Sequence, residues 1–190
     1  MAQIPASVRK LVIQRARFRC EYCLVHEMYA SFVHEVDHVI AKKHGGTDTL
    51  DNLAYACAQC NRFKGSDIAS IDPETGFLIA LFNPRTQDWQ NHFSLNGFVI
   101  QPLTATGRSS VRLLQLNQID RLLLRQELLS QGRYPYSVPT DYGGNGLDDF
   151  GVRRQPSRKL RASGEVLCVQ SQNRLHLPNI RCPIPDKTCG

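Results

Sequence analysis

The sequence has few of the features that mark membrane or secreted proteins. No stretch of its 190 residues approaches the roughly 20 consecutive apolar residues that a membrane helix requires. The opening residues, Met1–Pro5, are not followed by the apolar segment of a secretory signal. We therefore expect a cytoplasmic protein with no membrane partner. The length suits one medium domain, or one domain with a tail.

The chain also lacks the even cysteine count of a disulfide framework, because it contains seven cysteines. Four of them form two Cys-x-x-Cys pairs, Cys20/Cys23 and Cys57/Cys60. Four thiolates complete the tetrahedral shell of zinc and leave no open position for a substrate, so we expect a structural zinc site. Free buried cysteines or a redox pair are the alternative. The two pairs bracket a His-rich segment, and this argues against that alternative.

The charge is unevenly distributed along the chain. The formal net charge is +6 and the pI is about 9.1, which favours a polyanionic partner. The basic excess lies in residues 1–65 and 137–190, whereas the middle of the chain is balanced. Residues 137–190 are rich in Pro and Gly and have little periodicity, a composition compatible with partial disorder.

Two groups of side chains in this tail invite a functional interpretation. A basic cluster would add non-specific DNA affinity; it comprises Arg153, Arg154, Arg158, Lys159 and Arg161. The remaining cysteines, Cys168, Cys182 and Cys189, accompany His176 but lack the spacing of a zinc knuckle. We expect reduced thiols there in preference to a second zinc site.

Hydrophobic periodicity predicts the order of elements in the first half. A helix is predicted over residues 7–19, with Val8, Leu11, Val12 and Ala16 on its apolar face. Alternation predicts a strand over residues 31–40, followed by a loop around Gly45–Asp48 and a short strand over Leu53–Ala56. A helix should begin at the second cysteine pair. The predicted order is strand, loop, strand, helix.

The pattern of the second half of the sequence predicts a small antiparallel sheet and a helix. Strands are expected over Phe77–Phe82 and over Trp89–Leu95, and Asn96-Gly97 is a strong hairpin signal. An amphipathic helix is predicted over Asn117–Gln131, with Asn117 as its cap and Gly132 as its stop. Its predicted buried side chains are Ile119, Leu122, Leu123 and Leu129.

Between the cysteine pairs lie side chains suited to phosphodiester hydrolysis, which needs a nucleophile, charge stabilisation and help for the departing oxygen. His38 is a candidate general base, since an ordinary histidine pKa of about 6.5 suits proton abstraction near neutral pH. Asp37 and Asn61 offer hard oxygen ligands, which suit Mg²⁺ or Mn²⁺.

With these residues in this order, the sequence resembles the HNH endonucleases, or ββα-metal family. It is most similar to stand-alone bacterial members with a four-cysteine zinc site, a group common in cyanobacteria. The resemblance extends to about residue 135. It implies an α+β fold with a ββα-metal core, a structural zinc, a small antiparallel sheet and a C-terminal helix. It also implies one divalent ion that clamps the scissile phosphate, and a positioning role for Asn52.

The sequence departs from the name-giving motif at its third position, where Asn61 replaces histidine. The family tolerates asparagine there, and the amide oxygen favours a hard metal such as Mg²⁺. Lys64 and Arg62 follow on the motif helix and are candidates for nucleic-acid contact, with solvated helix charges as the alternative. His34 is either a substrate-binding or a structural histidine.

We divide the sequence into a nuclease core with the zinc site (residues 1–70), hairpins and a helix packed on it (71–136), and the basic tail (137–190). The predicted function is metal-dependent hydrolysis of double-stranded DNA, with a non-catalytic zinc-stabilised nucleic-acid-binding module as the alternative. Double-strand cutting from one active site would favour a homodimer.

Overall fold

The computed structural model describes residues 4–135. The predicted tail, with its basic cluster, His176 and three cysteines, lies outside the described residues. Among the described residues, no helix is long and apolar enough to cross a membrane.

The first helix, α1, spans Ala6–Arg15 and is shorter than predicted. It ends because Arg17 and Phe18 adopt left-handed backbone angles, with φ of 51° and 59°, which turn the chain toward Cys20. Val12 is buried as expected. The prediction for Leu11 was wrong, because its side chain is 50% exposed.

Two short strands and a helix follow in the predicted order. β1 (Glu35–His38) pairs antiparallel with β2 (Leu53–Ala56), and Asp37 lies opposite Ala54. The predicted bounds of β2 are confirmed, but β1 is much shorter than residues 31–40. Helix α2 spans Ala58–Lys64 and is capped by Cys57, whose Sγ accepts a hydrogen bond from the Cys60 N–H at 3.4 Å.

The second half contains two separate hairpins in place of one sheet. β3 (Ala69–Ile71) pairs with β4 (Leu78–Ala80), and β5 (Phe93–Asn96) pairs with β6 (Val99–Pro102) through the Asn96-Gly97 turn that was predicted.

The predicted strand over Trp89–Leu95 was wrong in its first part, because Trp89–His92 forms a short helix, α3. This helical turn brings the rings of Trp89 and Phe93 to a centroid distance of 5.1 Å, and both side chains are buried. The Trp89 indole N–H also donates to the Tyr22 carbonyl at 3.1 Å. Burial of this pair outweighs the alternation in the sequence.

Helix α4 (Ala105–Leu113) was not predicted. Thr104 caps it by accepting from the Gly107 N–H at 3.1 Å. Gly107 is required there, because a Cβ would come within 2.3 Å of the His92 carbonyl oxygen. Arg108 forms a bidentate ion pair with the buried Asp72, with both N–O distances at 2.7 Å, and so ties the β3–β4 hairpin to α4.

Helix α5 spans Ile119–Ser130, and its buried face differs from the predicted one. Arg121, Arg125 and Leu128 are buried. Ile119 and Leu123 are 68% and 57% exposed, so the prediction that they are buried was wrong. The expected stop is confirmed at Gly132, whose φ is 68°.

Asn117 was wrongly predicted to cap α5, because its side chain is bonded elsewhere. The residue at the cap position is Gln118. The Asn117 amide donates to the Ile100 carbonyl at 2.8 Å and accepts from the Ile100 N–H at 3.1 Å. It also accepts from Arg125 at 2.9 Å, so Asn117 ties β6 to α5.

The α+β fold class is confirmed. The described residues belong to one compact unit. Its main cluster of buried side chains contains all four knuckle cysteines and also Phe93, Leu116 and Leu128 from the second half. The Tyr134 hydroxyl donates to the Cys23 carbonyl at 3.1 Å and joins the end of the described chain to the first cysteine pair.

A substitution of Arg125 tests which side of α5 is buried. It is fully buried and donates to the Phe98 and Leu116 carbonyls, each at 2.7 Å. Arg125→Met leaves these acceptors without a donor, and we expect the free energy of unfolding to fall by about 3 kcal/mol. Leu123→Ala, on the exposed side, should change it by less than about 0.5 kcal/mol. Urea denaturation measures both, and a larger loss for Leu123→Ala would contradict this packing.

Candidate active site and metal centre

The four knuckle cysteines form one compact cluster. Their Sγ atoms all lie within 4.8 Å of one another and all four residues are buried. The Sγ atoms of Cys23 and Cys57 are 3.7 Å apart, so the cluster joins the two pairs across the core. A closed set of four buried sulfur ligands is the donor set of a structural zinc site.

Arg121 of α5 is a neighbour of this cluster that the sequence did not indicate. Its Nη2 donates to the Cys60 Sγ at 2.9 Å, and its Nη1 donates to the Leu114 carbonyl at 2.6 Å. With zinc bound, this guanidinium would offset part of the negative charge of the four thiolates and would hold the Cys60 sulfur by a charge-assisted hydrogen bond.

Asp37 and Lys64 form a buried pair between β1 and α2. The Lys64 Nζ is 2.9 Å from the Asp37 Oδ2 and donates to the His38 carbonyl at 2.7 Å. Burial raises the pKa of Asp37, and the nearby Lys64 ammonium opposes this shift. The Lys64 side chain is only 3% exposed.

Asn61 and Glu35 form a second pair, parallel to the first. The Asn61 amide donates to a carboxylate oxygen of Glu35. Glu35 and Asp37 are two residues apart and lie on the same face of β1. Asn61 and Lys64 are one turn apart and lie on the same face of α2. The two predicted ion ligands, Asp37 and Asn61, thus lie at the same interface between β1 and α2. Asp37 contacts Lys64 there, and Asn61 contacts Glu35.

His38 lies at the end of β1 and is bonded to the loop that follows. Its Nε2 is 2.7 Å from the Asp48 Oδ1. The other oxygen of Asp48 accepts from the Lys42 ammonium. Lys42 and His38 together hold the pKa of Asp48 below its ordinary value. The three side chains are partly exposed, so the imidazole lies at the surface of the core.

Asn52 fastens this loop to the end of β1. It accepts from the Ile40 N–H and donates to the Ile40 and Thr47 carbonyls, each at 2.9 Å. Gly46 makes the close approach possible, because a Cβ would come within 1.7 Å of the Ile40 carbonyl oxygen. Asn52 therefore joins the loop to the residues just after β1, and its role in orienting His38 stays a prediction.

The three remaining candidates, Arg62, Lys64 and His34, occupy different environments. Arg62 is exposed on α2 and free of the core. Lys64 was predicted to contact nucleic acid, but its burial and its bonds to Asp37 and the His38 carbonyl are at odds with a direct phosphate contact. His34 precedes β1 and is structural, because it is buried with its Nε2 3.0 Å from the Val25 carbonyl.

Several neighbours of the site were missed from the sequence. Glu35, Lys42 and Asp48 contact predicted site residues, although only the Glu35–Asp37 spacing on a strand offered a signal. The positions of Lys42 and Asp48 depend on how the loop folds back. No sequence pattern specifies that fold.

The order strand, loop, strand and helix is that of the ββα-metal fold, and here an Asp-His pair lies on the first strand and an asparagine on the helix. In agreement, residues 20–67 match the family model described as HNH endonuclease. The similarity to the HNH family is therefore shown for this segment of the chain.

A curated relative extends the similarity beyond the HNH segment. The chain is 25% identical over 129 residues to the Septu protein PtuB of Bacillus thuringiensis. The aligned region covers 64% of this chain and 46% of the relative, so the chain spans about half the length of that protein. No solved structure matches the chain.

The cysteine cluster predicts a defined metal content. We expect purified protein to carry about one zinc per chain and to unfold when a chelator removes it, because closed zinc sites supply folding free energy. Cys60→Ser removes one ligand and should lower the zinc content. Gln59→Ala, an exposed position within the same knuckle, should leave it unchanged. Metal analysis of the three proteins tests the site, and a wild-type chain without zinc would refute it.

The Asn52 contacts predict a loss of stability on truncation. Asn52→Ala leaves the Ile40 N–H and the Ile40 and Thr47 carbonyls without their partner, so we expect unfolding to need about 2–3 kcal/mol less. The adjacent Asp51→Ala, at an exposed position, serves as the matched control and should cost under about 1 kcal/mol. Chemical denaturation compares the two, and equal effects would contradict the fastening role.

Proposed function

We propose that this chain is a metal-dependent HNH endonuclease that hydrolyses phosphodiester bonds of double-stranded DNA. The observation that carries the proposal is the arrangement at the interface of β1 and α2. There a histidine suited to proton abstraction directly follows a partly buried carboxylate, and an amide side chain faces the same strand from the helix. The match of residues 20–67 to the HNH model supports it.

The donor set fits a hard divalent ion. The Asp37 Oδ2 is buried and lies 2.9 Å from the Lys64 ammonium. The Asp37 carboxylate, held in place by Lys64, would offer its oxygens to the ion. Asp37 and Asn61 would hold Mg²⁺ or Mn²⁺, and both metals prefer carboxylate and amide oxygens. When bound, the ion would supply charge stabilisation for the phosphate and for the departing 3′ oxygen.

The other residues act on the substrate or on the shape of the site. His38 takes a proton from the attacking water. Asn52 keeps the loop against β1 and so orients His38. Arg62, exposed one residue beyond Asn61, contacts the DNA backbone. Lys64 acts indirectly, by holding Asp37 and the His38 carbonyl in place.

The proposal extends to the assembly on DNA. One active site per chain cuts one strand at a time, so cleavage of both strands favours a homodimer. The basic excess outside the described residues would add affinity that does not depend on sequence and weakens with salt.

Supercoiled plasmid incubated with Mg²⁺ or Mn²⁺ tests the proposal. Wild-type protein should nick or linearise it, and His38→Ala and Asp37→Asn should lower the cleavage rate by about 10²–10⁴-fold. Asp67→Asn, an exposed carboxylate just beyond α2, should cut at the wild-type rate.

All variants should keep their zinc, which shows that the fold is intact. Plasmid left uncut by the wild type with either metal, or cut equally well by His38→Ala, would disprove catalysis at this site. DNA binding without cleavage by the wild type would identify a non-catalytic zinc-stabilised nucleic-acid-binding module.

A further inference from the structure

Asp48 is the carboxylate nearest to His38 in the loop between β1 and β2. Its Oδ1 lies 2.7 Å from the His38 Nε2, the length of a strong charge-assisted hydrogen bond. We infer that Asp48 is the positioning residue of His38, which accepts the Nε2–H and thereby leaves Nδ1 as the nitrogen that takes the proton. This inference rests on the nuclease function proposed above.

The contact is set by the fold of the loop. The Asn52 side chain holds the loop at the Ile40 backbone and at the Thr47 carbonyl, and Asp48 directly follows Thr47. The close approach of Gly46 to the Ile40 carbonyl fixes the other side of the turn. The backbone of Asp48 is therefore anchored one residue away from a buried hydrogen bond, and its side chain reaches His38 from a defined position.

Lys42 determines which oxygen of Asp48 faces the imidazole. Its ammonium donates to Oδ2, so Oδ1 remains for His38. The pKa of Asp48 is held below its ordinary value by Lys42 first and by His38 second, so the carboxylate is ionised at neutral pH. An ionised carboxylate only accepts hydrogen bonds. The hydrogen of the shared bond therefore belongs to the His38 Nε2.

The consequence for the reaction follows from the two nitrogens of a neutral imidazole. One carries a hydrogen and the other a lone pair, and the bond at the first decides which is the base. With Nε2–H committed to Asp48, Nδ1 takes a proton from water while the water oxygen bonds to phosphorus and the bond to the 3′ oxygen breaks. The Asp48 carboxylate stabilises the imidazolium that forms.

Nuclear magnetic resonance of the full-length zinc-bound protein, labelled with ¹⁵N-histidine and free of DNA, Mg²⁺ and Mn²⁺, tests the inference directly. At about pH 8, where histidine is ordinarily neutral, ring ¹⁵N shifts report the tautomer. The His38 signals are assigned by their loss in His38→Gln. The expected result for the wild type is Nε2–H, whereas an Nδ1–H tautomer would overturn the inference without any variant.

Asp48→Asn is the informative substitution, because it preserves shape and removes the charge. Lys42 should retain the amide oxygen, so that the amide NH₂ faces Nε2 and forces it to accept. We expect the tautomer to change to Nδ1–H. Asp51→Asn, in the same loop but bonded to Thr49, should leave the His38 spectrum unchanged.

Plasmid cleavage by the same proteins adds a kinetic readout. Asp48→Asn should lower kcat by about 10²–10⁴-fold with little change in KM, because the wrong tautomer affects the chemical step and not DNA binding. An unchanged tautomer and kcat in Asp48→Asn would overturn the inference. Wild-type protein with the Nε2–H tautomer but no cleavage would overturn the nuclease function and leave the Asp48–His38 bond supported.

Discussion

Four cysteine sulfurs within 4.8 Å of one another hold together segments that are otherwise far apart in the chain. The first pair lies after α1 and the second caps and begins α2, so the cluster fixes the turn after α1 against the helix that carries Asn61. Buried thiols at this separation repel one another once ionised. A bound zinc ion would turn that repulsion into attraction.

The candidate active site depends on the cysteine cluster indirectly, through the contacts that hold β1 in place. β1 is only four residues long, and a strand of that length does not hold its side chains in place by itself. Here β1 is held by pairing with β2, by the Asp37–Lys64 and Glu35–Asn61 contacts to α2, and by the Asn52 amide at its end. Each contact is local, and together they place His38 between a metal-ligand candidate and the loop carboxylate.

The sequence predicted the grouping of the cysteines and the order of the first elements better than the packing around them. Spacing sufficed for the cysteine pairs, and the short apolar run Leu53–Ala56 sufficed for β2, because these are local patterns. The helical period of α5 was also correct, but its buried face was not. Arginines at helical spacing ordinarily face solvent, and Arg121 and Arg125 are buried only because distant carbonyls and a cysteine sulfur accept their hydrogens. No local pattern encodes such partners.

Within the site, the partner of Lys64 was likewise not predictable from the local sequence. A lysine on the motif helix suggests a phosphate contact, yet the Lys64 Nζ lies 2.9 Å from the Asp37 carboxylate, and the low exposure of the two side chains favours this ion pair. Asp48 is the converse case, a residue with no predicted role that contacts a predicted site residue. Nothing in the residues around Asp48 indicates that the loop returns to His38.

The hydrogen bond from Arg121 to Cys60 shows that the HNH segment is not structurally independent of the rest of the chain. The family match ends at residue 67, whereas the guanidinium that neutralises the cysteine cluster comes from a helix that begins at Ile119. A transplanted cassette of residues 20–67 would retain every ligand and every motif residue but would lose this internal counter-charge. The HNH segment of this protein therefore shares its cysteine cluster with α5, and we expect a stable fragment to include that helix.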